Sequence, residues 1–506
     1  MPGARPNILL ITTDQQHHGA LGVHDPVLRT PALDRLAAEG TLFDRAYCPN
    51  PTCTPSRASI VTGLYPSTHG AWSLGTKLAE DVPTVGELFS AAGYSTTLIG
   101  KAHFQPLNSS PEQTSIETRD LIRDLDYWRK FDGPFYGFDH VELARGHGDE
   151  YFAGMHYGIW LDDNGVPDWR DYFTRGDPER PDAPKRQYVW DLPAEHHYTT
   201  WTAERSIAAI EKSVNDDQPF LCWASFHDPH PPYLVPEPWA TMYDPGEVTP
   251  GHLVPGELDG MPIWHQMTQQ GHPDFSPWLE SGYANHGFAS QVVDEPTLRK
   301  SMAVYYGMVS FIDQQVGRIL DRLDRLGVAD DTIVVFTTDH GHLLGQHGLT
   351  AKGAFHYEDL LRIPFIVRWP GQTPAGRRSD ALQSLVDLAP TFLGATGQPV
   401  PGLMQGVDQT AVWRGDADRA RDHVIAENRH QPTAVHLRTY IDDRHKMTVY
   451  RDKPWGELFD LQADPDERRN LFASPEHAGL RSALMHRFLN AEMVREPTRF
   501  SRIANA

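Results

Sequence analysis

A nucleophilic thiol and a positively charged guanidinium lie four residues apart in the segment CTPSR, at Cys53 and Arg57. Thr54 is suited to cap a helix N-terminus, Pro55 to take its first position, and Gly63 to end it. Cys53 is therefore expected at the start of a helix, where free backbone amides and the helix dipole favour an anion. Arg57 adds a forked positive charge at the same place. A nucleophile beside an anion pocket indicates an ester hydrolase.

Two polar pairs come directly after apolar runs that read as strands. Asp14-Gln15 follows the first such run, and Asp339-His340 follows a later one. Ligand sites in open α/β sheets lie off the carboxyl ends of the strands, so both pairs are expected in one crevice. Two carboxylates, an amide oxygen and an imidazole would hold a hard or borderline divalent cation. The sequence therefore predicts a metal site at this edge of the sheet.

Positive and imidazole side chains follow two further predicted strands. Lys101 and His103 come after the run 94–100, and His230 lies in a loop after the run 220–226. Pro231 and Pro232 stiffen that loop, which suits a side chain that needs a fixed direction. The chain has a formal charge of -22, so an enzyme acting on an anionic ester must concentrate its few cations locally.

The CTPSR segment, followed by Thr62-Gly63, Tyr65-Pro66 and His69-Gly70, resembles the signature of the type I sulfatases. In that family the cysteine is oxidised to formylglycine, whose hydrated aldehyde attacks the sulfur of a sulfate ester. The second hydroxyl later expels sulfate. The resemblance implies that Cys53 is the precursor of this group. Taken alone, the residue could instead be a buried free thiol that packs as a small hydrophobe.

The resemblance also implies a ligand set. The family places four ligands at the metal, here Asp14, Gln15, Asp339 and His340, and the group derived from Cys53 completes the shell. Most relatives carry Asp-Asp and Asp-Asn at these two pairs. An amide in place of a carboxylate lowers the negative charge, and an imidazole suits Mn²⁺ better than Ca²⁺. Calcium is the family default, so both ions stay open.

The remaining site residues are also implied by the resemblance. In the family motif G-K-x-H, here Lys101 and His103, the lysine bridges sulfate and formylglycine and the histidine takes a proton from one hydroxyl. The P-H-x-P element maps onto His230, whose equivalent contacts sulfate and the leaving oxygen. The second sulfate-binding lysine maps onto Lys352. Three further histidines have no assigned role: His227 is expected behind His230, and His342 and His347 as bystanders.

The pattern of apolar runs and amphipathic segments predicts an α/β protein with a large, mostly parallel sheet flanked by helices. The predicted strands of this sheet include residues 8–13, 94–100, 220–226, 332–338 and 363–369. The predicted helices include residues 30–40, 84–92, 198–214 and a long one from about 296 to 327.

Residues 1–399 are predicted to form the catalytic domain, interrupted by insertions near 105–195 and 228–295. Nine of the thirteen tryptophans fall within 105–295, so the insertions are expected to be packed. Their aromatic residues could wall a substrate pocket, but core packing is the favoured interpretation; examples are Trp128, Tyr157, Trp160 and Trp264. Residues 400–506 contain short strand-like runs and a final helix near 475–494. They resemble the sulfatase C-terminal subdomain, a small antiparallel sheet with one helix.

Bulk properties exclude some classes. The acidic charge argues against nucleic-acid binding, which needs a basic face. The apolar stretch near the N-terminus is too short for a secretory leader or a membrane span. Three cysteines suggest no disulfide framework, so a cytoplasmic location is expected. The large insertions favour a homo-oligomer.

The predicted reaction is hydrolysis of a small sulfate monoester, after maturation by a formylglycine-generating enzyme. A related alternative is a phosphonate monoester or phosphodiester hydrolase, because those enzymes carry the Asp-Gln and Asp-His pairs found here. They tend, however, to have C-x-P-A-R and to lack the pair Lys101 and His103. A third alternative is a non-catalytic scaffold with the same fold.

Overall fold

An eight-stranded, mostly parallel sheet organises the N-terminal four-fifths of the chain. The computed structural model describes residues 5–166, 168–183, 186–496 and 503; residues 1–4, part of the segment expected to lack a leader, lie outside this description. The strands of the sheet are, in chain order, β1 (Asn7–Thr13), β2 (Thr41–Phe43), β3 (Ser95–Gly100), β4 (His140–Leu143), β5 (Phe220–Ser225), β6 (Thr332–Thr338), β7 (Phe365–Arg368) and β8 (Arg377–Ser379).

The strand order is β8-β2-β7-β6-β1-β5-β3-β4. β1 lies at the centre and pairs in parallel with β5 and β6, so that Ile11 is opposite Ala224 on one side and Phe336 on the other. β3 continues the parallel order between β5 and β4, whereas β7 runs antiparallel to β6 and β2. The carboxyl ends of β1, β3, β5 and β6 therefore meet at one edge, which confirms the predicted fold class.

Helices cover both faces of this sheet, because its central strands are apolar on both faces. All seven residues of β6 and all six of β5 are buried, as expected for strands of a covered parallel sheet. The α-helices are Pro31–Glu39, Cys53–Thr62, Pro66–His69, Val85–Ala91, Arg119–Ile122, Leu125–Trp128, Met155–Asp163, Tyr198–Asn215, Ile263–Thr268, Glu295–Leu326, Glu358–Leu361, Leu388–Ala395, Thr410–Arg414 and Ala478–Val494.

The long helix Glu295–Leu326 confirms the sequence-based expectation closely. Asp294 caps it by accepting a hydrogen bond from the Thr297 backbone amide, with Pro296 in the first turn. Gly327 ends it in the left-handed conformation (φ 71°), which glycine adopts without strain.

The helix that carries Cys53 begins earlier than expected. Its N-cap is Thr52 and Cys53 is its first residue, so the assignment of Thr54 as the cap is wrong. The reason lies in Asn50, whose side-chain oxygen accepts hydrogen bonds from both the backbone amide and the hydroxyl of Thr52 and holds that residue extended. Pro55 is then the third helical residue, where its missing amide proton costs nothing because first-turn amides have no helical partner. The predicted end at Gly63 is confirmed.

The strand expected over residues 363–369 is divided in two. Arg362–Ile363 pairs with Ala46–Tyr47 in a small three-stranded sheet, and β7 (Phe365–Arg368) enters the large sheet. Pro364 separates them, and a proline cannot donate a ladder hydrogen bond. The remaining two-residue strands are Tyr188–Val189, Leu234–Val235, Leu343–Leu344, Thr350–Ala351 and Gln383–Ser384.

The insertions are packed, as expected. Trp128, Tyr157 and Trp264 are no more than 2% exposed, which confirms core packing for them, and Trp160 is half-buried against the same cluster as Tyr157. Within the described ranges, no helix combines the length and apolarity needed to cross a membrane.

The C-terminal part forms an antiparallel sheet with one long helix, which confirms the expected subdomain. Its strands are β9 (Val424–Arg429), β10 (His436–Ile441), β11 (His445–Tyr450) and β12 (Gly456–Asp460), and its helix is Ala478–Val494. Leu437 and Phe459 of this sheet pack in one cluster with Phe355 and Leu360 of the larger part. The sheet therefore supports the loop that follows β6.

Candidate active site

The two predicted polar pairs meet at the carboxyl edge of the sheet. The backbone amide of Gln15 donates to Asp339 Oδ1 over 3.0 Å, and His340 Nε2 lies 3.9 Å from Asp14 Oδ1. Gln15 itself has a left-handed backbone (φ 67°), an uncommon state for a residue with a side chain that often marks functional sites. The parallel order of β1 and β6 produces this convergence.

Cys53 lies within this group of side chains. Its Sγ is 3.1 Å from Lys352 Nζ, 3.3 Å from His340 Nε2 and 3.5 Å from Asp14 Oδ1, and the residue is 1% exposed. Burial alone would raise the pKa of the thiol, and so would Asp14, but Lys101 and Lys352 outweigh them and lower the pKa to about 6. Such a thiol is a reactive group and not an inert core residue.

The side chains around Cys53 fit a divalent cation. Donor atoms of Asp14, Cys53, Asp339 and His340 all lie within 4.8 Å of one another and are buried. His340 Nδ1 donates to the Gly341 carbonyl over 3.0 Å, which leaves Nε2 as a lone pair directed into the group. Anchoring one ring nitrogen in this way is the usual arrangement of a metal-binding histidine. The oxygen-rich donor set with one imidazole suits a hard or borderline ion.

Gln15 adds a further observation in favour of a cation. Its Nε2 donates to His342 Nδ1 over 2.8 Å, and His342 Nε2 is 2.8 Å from the Tyr233 hydroxyl. This chain fixes the amide, so that Oε1 is buried without a hydrogen-bond partner. A buried polar atom is costly without a partner, and a cation would provide one. His342, expected as a bystander, therefore orients a predicted ligand.

Arg57 and its neighbour Ser56 hold the aspartate after β6. Arg57 Nε donates to Asp339 Oδ2 over 2.8 Å, and Ser56 Oγ donates to the Asp339 carbonyl over 2.6 Å. One terminal nitrogen of Arg57 also bonds the Lys101 carbonyl, whereas the other is buried without a partner and lies 4.0 Å from Asp14 Oδ2. The guanidinium thus holds Asp339 in place and leaves one terminal nitrogen, Nη2, available to a ligand.

Lys101 lies against the same aspartate from the β3 side. Its ammonium, fully buried, contacts the Asp14 carboxylate and lies 2.8 Å from His147 Nε2. Gly100 precedes it with φ 103°, and a Cβ there would lie 1.9 Å from the Ser225 carbonyl oxygen. Only glycine allows this approach, which places Lys101 at the strand end.

His103 has fewer contacts with the other site residues than Lys101 has. Its backbone amide donates to Glu117 Oε1 over 3.0 Å, its ring is half-buried, and Nδ1 has no hydrogen-bond partner. Burial, Arg145 and Lys101 hold its pKa well below the ordinary value, so the imidazole is neutral. Within the described part of the chain, no hydrogen bond links this ring to Cys53. Its predicted role as a base stays a prediction.

His230 lies beside Lys352, as the sequence analysis expects. Its Nε2 is 3.0 Å from Lys352 Nζ, and its Nδ1 donates to the Pro231 carbonyl. The His147 ring stacks on His230 with 3.6 Å between centroids and an interplanar angle of 17°. We call Lys352 with His230 the first Lys–His pair, and Lys101 with His147 the second.

Sequence reasoning missed His147. It lies in a stretch read as an insertion, yet it follows β4, the last strand of the parallel edge, by four residues. The signal was the short alternating run of β4 followed by Gly146 and Gly148, which is the same pattern of strand and polar loop that identified Lys101.

Two other histidines lie away from the nucleophile. His227 Nε2 donates to the Ala144 carbonyl over 3.1 Å, behind the site as expected. His347 stacks on Tyr357 at 3.6 Å and faces Glu257, which agrees with a bystander role.

A cleft of about 1120 Å³ elsewhere does not contain Cys53 or either Lys–His pair. Most of its arginines face acidic partners, for example Arg378 with Asp44. His17 and Asp359 border it, but His17 Nδ1 accepts the Gly19 amide, so its Nε2 carries the proton that it donates to Asp359 over 2.8 Å. This tautomer offers no Nε2 lone pair to a metal.

Comparison with known proteins gives relatives along the whole chain. The chain is 28% identical over 516 residues to the uncharacterized sulfatase YidJ of Escherichia coli (strain K12), with 98% of this chain and 89% of that protein covered. It is 27% identical over 482 residues to an arylsulfatase of Clostridium perfringens (strain 13 / Type A), with 94% and 91% covered. The solved phosphonate monoester hydrolase of Agrobacterium radiobacter superposes with a TM-score of 0.79 at 25% identity, covering 97% and 96% of the two chains.

Two family profiles also match. The profile of N-sulphoglucosamine sulphohydrolase, C-terminal, covers residues 345–494. The profile described as Sulfatase covers residues 6–398, most of the chain and all of the site described above. On this evidence the chain belongs to the sulfatase family, within the alkaline phosphatase superfamily.

Proposed function

We propose that this protein hydrolyses sulfate monoesters at Cys53, after conversion of that residue to formylglycine and with a divalent cation bound by Asp14, Gln15, Asp339 and His340. The observation that carries the proposal is the position of Sγ, between a carboxylate–imidazole donor set and the ammonium of Lys352. When bound, the cation would supply Lewis-acid polarisation, and formylglycine would supply the attacking hydroxyl.

The protein's own cations are suited to bind the sulfuryl oxygens. Three positive groups lie around Cys53: Lys352, Lys101 and the unpartnered Nη2 of Arg57. They are buried, so each charge acts strongly because little water screens it. Burial opposes the charged form of Lys352, but Cys53 and Asp14 raise its pKa, so the ammonium stays charged.

The leaving oxygen needs a proton or a positive partner. Burial, His147 and Lys352 hold the pKa of His230 well below its ordinary value, so this imidazole is neutral and accepts from Lys352 at Nε2. Lys352 is thus the proton-bearing member of the first Lys–His pair. We assign it the role of donating a proton or a hydrogen bond to the departing alcohol or phenol, while His230 accepts a hydrogen bond from Lys352. His103, with its free Nδ1, is assigned to release of sulfate.

A phosphonate monoester or phosphodiester hydrolase is the second candidate. It is favoured by Gln15 and His340 in the donor set and by the likeness to the Agrobacterium enzyme. The CTPSR segment and Lys101 favour the sulfatase. Sulfate monoesters and phosphonate monoesters both carry one negative charge near neutral pH, so the cations around Cys53 can bind either group, and we expect side activity toward phosphonates.

The partners follow from the proposed chemistry: a small sulfate ester and a formylglycine-generating enzyme. Because Cys53 is 1% exposed, that enzyme must act before the helix of Cys53 is packed. The homo-oligomer and the cytoplasmic location stay predictions.

The test is a pair of matched chromogenic esters. Purified protein with a measured formylglycine content is assayed with 4-nitrophenyl sulfate and with the 4-nitrophenyl monoester of phenylphosphonic acid, each with Ca²⁺ or Mn²⁺. We expect a higher kcat/KM for the sulfate. Preference for the phosphonate supports the second candidate, and protein that keeps the Cys53 thiol in a host with the modifying enzyme supports a scaffold.

A further inference from the structure

The Lys101 ammonium has an incomplete set of partners. It can donate three hydrogen bonds, and in the described part of the chain Nζ has two partners, the Asp14 carboxylate and His147 Nε2. The third proton therefore has no protein acceptor. Because the lysine is completely buried, this proton is available to an anion bound beside Cys53.

His147 is held from several sides. Its backbone amide donates to Glu150 Oε2 over 2.7 Å, and its Nδ1 lies 3.6 Å from the same oxygen. Its ring stacks on His230. At Gly148 (φ 52°) a Cβ would lie 2.6 Å from Pro232 Cγ, so the loop fits closely against the loop of His230. The ring is thus fixed in place before any ligand binds.

This arrangement controls where the lysine points. A lysine side chain is a flexible stem with three rotatable donors, so one partner alone does not fix it. Without His147, Asp14 would be the sole acceptor for the buried ammonium. Lys101 would then turn toward a carboxylate that the cation needs, and its free proton would change direction.

We propose that His147 is a positioning residue that holds Lys101 between Asp14 and the sulfuryl group of the substrate. The inference rests on the proposed function and deepens it, because it makes residues of the 105–195 stretch part of the reaction site. Glu150 contributes by fixing the His147 ring.

Two variants separate the contacts of His147. His147→Phe keeps a ring that can stack on His230 but removes the acceptor for Lys101, together with the 3.3 Å contact between Nε2 and Asp14 Oδ2. His147→Gln keeps an acceptor oxygen but removes the ring. His140→Phe, at a side chain 44% exposed on β4, is the matched control. Thermal unfolding of each variant checks that the fold is intact.

The readouts are kcat and KM for 4-nitrophenyl sulfate and calorimetric binding of inorganic sulfate. We expect His147→Phe to lower kcat/KM by about 10–100-fold, since a misplacement of about 1 Å can cost 10²-fold. His147→Gln should recover most of this loss, and His140→Phe should match the unsubstituted protein. Sulfate binding should weaken in the same order.

A double-mutant cycle with Lys101→Met tests whether His147 acts through the lysine. If it does, His147→Phe has little further effect once Lys101 is replaced. Additive losses in active protein, or full activity of His147→Phe, would overturn the inference and leave the proposed function standing. If the phosphonate proves to be the substrate, the same cycle is read with that ester. Protein that turns over neither ester is read by sulfate binding, and unchanged binding in His147→Phe overturns the inference there too.

Discussion

The two Lys–His pairs beside Asp14 and Cys53 are built differently. In the first pair, Lys352 touches the nucleophile and His230 is backed by the neutral carbonyl of Pro231. In the second pair, the lysine touches Asp14 and His147 is backed by the Glu150 carboxylate. In the proposed reaction the first pair therefore acts on the reacting atoms, whereas the second acts on the ligand set and on the orientation of a charge.

This difference shows how the site combines a strong electrostatic effect on Cys53 with a fixed orientation of the Lys101 ammonium. Both lysines lower the pKa of Cys53, Lys101 from beside Asp14 and Lys352 in contact with Sγ. A charge beside a metal ligand needs a second acceptor to keep it from pairing fully with that ligand. Removing members of each pair should therefore give effects of different size.

The largest loss of activity is expected from replacing Cys53, which lies beside both Lys–His pairs. Cys53→Ala should lower kcat by on the order of 10⁶-fold, as loss of a nucleophile does in other hydrolases. Cys222→Ala is the matched control, because that thiol lies in β5 with its pKa raised to about 12 by burial. Steady-state assay with 4-nitrophenyl sulfate gives both values. Retained activity in Cys53→Ala would place the reaction elsewhere.

The lysines should rank next and should differ from each other. Each of Lys352→Met and Lys101→Met removes a charge from the site, and loss of one such donor costs about 10²–10³-fold in kcat. We expect the larger loss for Lys352→Met, because its ammonium alone contacts Cys53 Sγ. Lys212→Met, at an exposed surface lysine, is the control. A larger loss for Lys101→Met would reverse the comparison.

The thiol of unconverted protein offers a test by titration. With a pKa of about 6, the Cys53 thiolate should be present above that pH and be lost as the pH falls through it. Ultraviolet thiolate absorbance of metal-free protein, made without the modifying enzyme, measures this. Cys48 and Cys222 do not interfere, because burial raises the pKa of each.

Lys352→Met should move the Cys53 titration to higher pH, because it removes a charge that stabilises the thiolate. A Cys53 titration near pH 9 in the unsubstituted protein would contradict the described electrostatics.

Removal of the cation is tested here by its effect on stability, where a smaller change is expected than the losses of activity above. Chelation should lower the melting temperature, because Asp14 and Asp339 lose a partner; an ion at 100 times its Kd contributes about 2.7 kcal/mol. Adding back Mn²⁺ or Ca²⁺ should restore it. His340→Asn should shift the preference toward Ca²⁺. A melting temperature that is indifferent to chelator would argue against the assigned ligand set.

The sequence could predict the parts of this site that follow long apolar strands. The apolar run within Thr332–Thr338 predicts β6, all of whose residues are buried in the structure, and the rule for strand ends then places Asp339 and His340. The same reasoning placed Asp14, Gln15 and Lys101. Membership of a parallel sheet fixes the edge at which such residues meet.

Other parts depend on contacts that a single sequence does not indicate. β4 has four residues, so the alternating run that precedes His147 is too short to predict a strand by itself. The chain from Tyr233 through His342 to Gln15 joins segments 109 and 327 residues apart. The cap at Thr52 depends on a local hydrogen bond to Asn50 that competes with the capping preference of Thr54.

The most direct test of the account is the chemical state of Cys53 in active protein. Trypsin releases a peptide from Ala46 to Arg57 that contains both Cys48 and Cys53, so Cys48 serves as an internal control for thiol alkylation. Mass spectrometry after alkylation should find one alkylated cysteine and one aldehyde, with sulfate-ester turnover rising in proportion to the aldehyde fraction. Full turnover by a sample whose peptide proves to contain two alkylated cysteines and no aldehyde would contradict the account.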